Sequence, residues 1–180
     1  MTRKSIVPAL LLSFLVAQAV AGQDARHPVA PDRATILDVA RQVMHDARYC
    51  ALVTLGNDGQ PQARVVDPFL PDDGMTVWIG TNPITRKVAQ IRKDARVTLF
   101  YFDGESLSYV TILGRAELVD DPTEKAKHWK EEWAPLYTDG SRGEDYLLIR
   151  VRPRRIEVVS YGGGVPNDPV TWRPAAVDFP

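Results

Sequence analysis

Apolar positions at Ile36, Leu37, Ala40, Val43, Met44 and Ala47 fall three and four residues apart, the spacing of a helix with one buried face. Asp32, just ahead of them, is placed as an N-cap. From residue 49 the period changes. "YCALVTL" is rich in β-formers and runs into "GNDGQ", a hairpin turn signal; "QARVVDPFL" returns, bending or lying at an edge where Pro68 interrupts it. After "PDDG" a third strand, "MTVWIGT", is expected. A short helix follows, with Asn82 as cap, Pro83 as first residue and Ile84, Val88 and Ile91 as its apolar face. "ARVTLFYF", the turn "DGES" and "LSYVTILGRAELV" give the next strand pair, with Gly114 marking a bulge. Asp121-Pro122-Thr123-Glu124 opens a third helix, with Ala126, Trp129 and Trp133 on one face. "YLLIRVRPRRIEVVSY" is a last long strand or bent pair around Pro153, and the Gly- and Pro-rich tail is read as irregular.

Short strands joined by turns argue for a closed or half-closed antiparallel barrel of about six strands with three peripheral helices, and against parallel βαβ units. The first residues stand apart. Arg3 and Lys4 precede the apolar run "IVPALLLSFLVAQAVA", which ends on Ala19-Val20-Ala21. This is the pattern of a cleavable secretory leader, shorter than the ~20 residues a spanning helix needs. The expected organisation is a signal peptide over 1–21, a flexible mature N-terminus over 22–31, one folded domain over 32–161 and a tail over 162–180. The expected location is secreted or periplasmic, with no stable membrane anchor.

Composition adds limits. The chain has 180 residues, 44% hydrophobic and 25% charged, with a net charge of -1. Loss of Arg3 and Lys4 leaves 20 basic residues against 23 acidic ones, a net charge of -3. Bulk attraction to nucleic acid is therefore not expected. The single Cys50 sits in an apolar run and reads as a buried small hydrophobe. His27, His45 and His128 have no partners at metal-ligand spacing, so no metal site is expected. No Ser-His-Asp order or Gly-x-Ser-x-Gly elbow offers a catalytic residue.

The stretch with the most chemistry is "IGTNPITRKVAQI". A helix start presents unpaired amides and a positive dipole end, which together favour an anion. Thr81 and Thr85 can add hydroxyls, and Arg86 and Lys87 charge-assisted bonds. Arg64 can reach the same place if its strand lies beside the third. The bland alternative is a solvated helix face behind an ordinary Asn-Pro cap.

"ARVV", "IGTNPITRKVAQIRKDARVTLFYF" and "YVTILGRAEL" resemble consecutive blocks of the pyridoxamine 5'-phosphate oxidase-like, FMN-binding split-barrel superfamily, over roughly residues 35 to 160. The resemblance implies a mainly β (α+β) fold, an antiparallel split β-barrel, working as a homodimer with FMN between subunits. It implies phosphate contacts from Arg64 and Lys87, with Thr85 and Arg86 beside them. Val65, Val66 and Asp67 would present backbone to the isoalloxazine edge, and Gly80 and Thr81 would line the ribityl phosphate. Tyr109 stands where the oxidase proper carries a glutamine that touches the flavin from the partner, and Phe69 where it carries a lysine. The oxidase's C-terminal Arg-x-x-Pro segment is not visible. These departures place the chain nearer the short general stress protein 26-like members than the oxidase proper. The implied activity is that of an FMN-dependent oxidoreductase on an unidentified small substrate or electron donor. The alternative is a non-catalytic exported protein holding flavin, haem or another anionic cofactor.

Overall fold

A computed structural model describes residues 30–180. The leader assigned to 1–21, and most of the segment 22–31, lie outside them. Helix α1 (Arg33–Ala47) opens on Asp32, whose carboxylate accepts from Thr35 N at 2.8 Å. It buries Ile36, Ala40, Val43 and Met44 and packs on the sheet. Strands β1 (Cys50–Leu55) and β2 (Pro61–Val66) form the expected hairpin, closed where Gly56 N donates to Gln60 O at 2.8 Å. Then come β3 (Val77–Thr81), α2 (Arg86–Lys93), β4 (Arg96–Asp103), β5 (Ser108–Val119) and α3 (Pro122–Lys127). Two 3₁₀ turns (Glu131–Leu136, Gly140–Arg142) lead into β6 (Leu147–Val159) and β7 (Ala175–Asp178).

The seven strands make one antiparallel sheet in the order β2-β1-β4-β5-β6-β3, with β7 on β6. This is the mainly β, α+β split barrel expected. Its interior is a continuous apolar core from Leu52, Ile79, Leu99, Ile112, Ile149 and Ile156 to the α1 stripe. Cys50 is buried there as anticipated, and burial pushes its thiol up to about 12.

Several elements differ from the pattern. Pro153 does not split β6. Leu113 pairs with Arg155 and Gly114 with Pro153, so Arg154 is an extra residue in a bulge, where proline is tolerated. A Cβ on Gly114 would lie 2.5 Å from the Arg152 carbonyl oxygen. The tail is not wholly irregular: β7 pairs with β6, and Val177 is buried. Helix α3 stops at Lys127, so Trp129 and Trp133 do not share an α-helical face. They join Trp78, Tyr137, Tyr146 and Leu148 in a second, aromatic core.

The path of the sheet has two ends, β2 and β3, joined by no ladder. A single bridge, Pro68 to Ile79, links the chain just past β2 to β3. The split in the barrel lies there.

Candidate functional site

The segment after β3 builds the site from local hydrogen bonds. Asn82 does not cap the helix, as its position before proline suggested. Its Oδ1 accepts from Ile84 N at 3.0 Å and its carbonyl from Thr85 N at 3.2 Å, closing a turn. That turn delays the helix to Arg86 and leaves Ile84 89% exposed, not on the apolar face. Thr85 becomes the N-cap residue, in extended conformation. Its hydroxyl is spent on Asn82 O at 2.8 Å and lies 3.3 Å from the Thr81 hydroxyl, so it makes no cap bond. The first amides of α2 are left without a side-chain acceptor.

Arg64 does not sit beside β3, since β2 and β3 do not pair. It reaches α2 from below. Its guanidinium donates to Leu52 O at 3.1 Å, Thr54 Oγ1 at 2.6 Å and Gln90 Oε1 at 3.2 Å. Gln90, buried on α2, donates to Gln62 Oε1 at 2.8 Å, so the network ties β1, β2 and α2 together. Burial and then Arg86 hold the Arg64 pKa below its usual range; burial and then Arg64 do the same for Lys87. Arg64 therefore stands within Coulombic reach of both Arg86 and Lys87. Among the described residues none of them forms a salt bridge.

A cleft of about 340 Å³ opens beside them, in the split of the barrel. Val65, Val66 and Asp67 from the end of β2 form one side. Gly80, Thr81, Thr85 and Lys87 form the floor. Trp133, Leu136 and Tyr137 form the outer wall. Seven of the ten residues expected at a cofactor site thus line one cavity. Arg64 lies beneath it, and Arg86 lines a neighbouring depression with Gln62 and Gln90. Tyr109 stands apart, on the outward face of β5, its ring 5.8 Å from that of Phe100. Burial, then Glu157 and Tyr161, raise its phenol.

The outer wall and its support are the part that sequence reading missed. Asp67 is engaged through its side chain: Lys130 Nζ donates to Oδ1 at 2.7 Å and Trp133 Nε1 to Oδ2 at 3.3 Å. Gly80 is required by the same wall, because a Cβ there would lie 2.5 Å from Trp133 Cζ3. Pro135 in the 3₁₀ turn was the available signal that the i, i+4 tryptophans did not belong to an α-helix.

A second, wider cleft of about 1190 Å³ shares Asp67 with the first and is lined by His45 and His128. The His128 imidazole stacks on Trp78 at 4.3 Å, and its Nδ1 donates to the Glu124 carbonyl at 3.0 Å. Among the described residues, no group of three His, Cys, Asp or Glu side chains is arranged to hold a metal. Nor is any described helix long and apolar enough to cross a membrane.

Solved structures share this architecture. A protein related to general stress protein 26 from Clostridium acetobutylicum superposes with a TM-score of 0.67 at 16% identity, over 83% of this chain and 97% of that one. General stress protein 26 from Bacillus anthracis gives 0.64 at 18% identity, over 79% and 97%. A pyridoxamine 5'-phosphate oxidase-related, FMN binding protein from Nostoc punctiforme gives 0.55 at 13% identity, over 86% and 99%. At these identities the likeness shows the fold. No curated protein matches the chain. The family model described as pyridoxamine 5'-phosphate oxidase matches residues 36–160, the span that carries β1 to β6 and the cleft. By that match the chain belongs to the pyridoxamine 5'-phosphate oxidase family.

Proposed function

We propose that the cleft in the split holds FMN by its phosphate and that the protein is an FMN-dependent oxidoreductase acting on a small molecule. One observation carries this reading. Arg64 stands within Coulombic reach of Arg86 and Lys87, the first two residues of a helix without a side-chain cap, and among the described residues none of the three is paired with a carboxylate. A dianionic head group would relieve the repulsion and accept the free amides. The cavity size falls within the ~300–1,000 Å³ of small-molecule clefts, and one related structure is described as FMN binding. Lys87 and Thr85 would meet the phosphate, with Arg64 and Arg86 adding charge around it. Thr81 and Gly80 would border the ribityl chain, and the backbone of Val65 to Asp67 the ring edge. Bound flavin would supply hydride and electron transfer; the protein would contribute position, charge and exclusion of water.

The outward face of the sheet supports assembly as a homodimer. Val65, Phe100, Phe102 and Leu113 are exposed on it, beside Tyr109, and Val65 also lines the cleft. A second copy on this face would bring Tyr109 toward its partner's cleft. Export through the leader adds a location outside the cytoplasm to the proposal.

A carrier that binds without turnover is the second reading. It is favoured by the state of Asp67, the one carboxylate lining the narrow cleft, which is already paired. Haem in that cleft would find no histidine among the lining residues. The test is the spectrum of the purified exported protein. Flavin absorbance, with FMN released on denaturation, supports the proposal; a colourless protein that takes up no added FMN overturns it. Reduction by NAD(P)H and reoxidation by an acceptor then separates enzyme from carrier.

A further inference from the structure

The outer wall of the narrow cleft packs within its own aromatic core, and one ammonium group joins it to the end of β2. Lys130 Nζ donates to Asp67 Oδ1 at 2.7 Å and to Pro68 O at 3.2 Å. It also lies 5.0 Å from the Phe69 ring centre and 4.9 Å from that of Trp133. Asp67 holds the other end of the same wall by accepting from Trp133 Nε1. The pair joins chain positions 63 residues apart, and only 19% and 22% of the two side chains is exposed. It crosses from the end of β2, one side of the cleft, to the start of the Glu131–Leu136 turn, the other. Past Trp133, among the described residues, no hydrogen bond or ion pair ties the wall to β2: Leu136 is 70% exposed, and Tyr137 packs edge-on against Tyr146.

We infer that Asp67 and Lys130 are positioning residues: their pair latches the Glu131–Tyr137 segment over the cleft and sets how fast a planar, anionic occupant escapes. Neither group needs to touch the occupant; both act through Trp133 and Tyr137. A shielded pair of this kind governs dissociation more than association, because breaking one partner leaves the other charge uncompensated. The inference takes its probe, FMN, from the function proposed above, but the latch has a readout that needs no flavin.

In the full chain, Asp67→Asn, Lys130→Met, the double variant and Lys130→Arg would be compared. Release of FMN is followed by the recovery of flavin fluorescence, and exchange of the Trp133 indole N–H by NMR without flavin. Each single change should speed release about tenfold and accelerate indole exchange. The double variant should be no worse than either single, since both break the same pair. Lys130→Arg should recover release to within about threefold of the parent. Release within about twofold of the parent in both singles, or additive effects in the double, overturns the inference. If Asp67→Asn does not fold, Lys130→Met carries the test alone. If the parent takes up no FMN, the flavin reading falls. The latch is then judged on indole exchange, with faster exchange in Lys130→Met supporting it and unchanged exchange overturning it.

Discussion

The two sides of the narrow cleft are built on opposite principles. The floor lies among like charges: burial and a neighbouring cation lower the pKa of Arg64 beneath it and of Lys87 within it, and exposed Arg86 stands beside them. The outer wall is satisfied within itself. Trp129, Trp133, Tyr137 and Tyr146 meet edge to face at 4.9–6.3 Å, a favourable geometry for aromatic rings, and the Tyr146 hydroxyl donates to the His128 carbonyl. A wall of this kind needs no guest. The floor differs, because among the described residues its cations have no carboxylate partner. On the function proposed above, the floor would supply charge to an occupant and the wall its shape.

The sharpest way to break that contrast is to remove the floor's charge. Arg64→Ala with Lys87→Ala should weaken FMN retention by at least about 100-fold, from about 1.5–3 kcal/mol per charge-assisted bond, as read by equilibrium dialysis. Loss of less than about threefold would move the phosphate elsewhere. The wall should respond in stability rather than in charge. Gly80→Ala places a methyl against Trp133 and should lower stability by about 1–3 kcal/mol in urea unfolding; an unchanged midpoint would show that the ring moves freely. Helix caps give a smaller contrast. Asp121 accepts from Thr123 N and Glu124 N, so Asp121→Ala should cost about 1 kcal/mol. Thr85→Ala loses no cap bond, only the hydroxyl's bond to Asn82 O, and should cost about 0.5 kcal/mol without ligand while still weakening FMN binding. The smallest effect is a slope against pH. Lys87 has a lowered folded pKa, so the unfolded chain binds the extra proton and stability rises as pH approaches 10.5. Tyr137 and Tyr146 are raised by burial, so their contribution is intact below pH 10 and is lost above it. Thermal melts from pH 8 to 11 on Lys87→Met and Tyr137→Phe should separate the two slopes; slopes of the same sign would contradict the contrast.

Much of this was legible in the chain. Caps at Asp32 and Asp121, the Gly56–Gln60 turn and the bulge at Gly114 follow from local chemistry, and the structure has each of them. The Thr-Asn-x-x-Thr-Arg-Lys block marked the cleft floor because its residues are neighbours in sequence. What failed was decided at a distance or by near-degenerate local choices. Asn82 before Pro83 suits a cap and a turn equally, and the turn won, shifting α2 by one turn. A four-residue strand such as β7 exists because β6 offers it an edge, which no local pattern in a Pro-rich tail announces. The wall was hidden for the same reason. Trp129 and Trp133 carry helical spacing, but Gly80, Asp67 and Tyr146, contributed from three other segments, decide where they go.

The lone thiol also has a practical use. Cys50 is 3% exposed inside the barrel, on a strand paired with β2 and β4, so a sulfhydryl reagent can reach it only when the barrel opens locally around β1. Its labelling rate in native buffer is therefore a clock for that opening, readable by mass on the unmodified protein. Run with and without flavin, the clock would show whether an occupant of the split also quiets the strands around it.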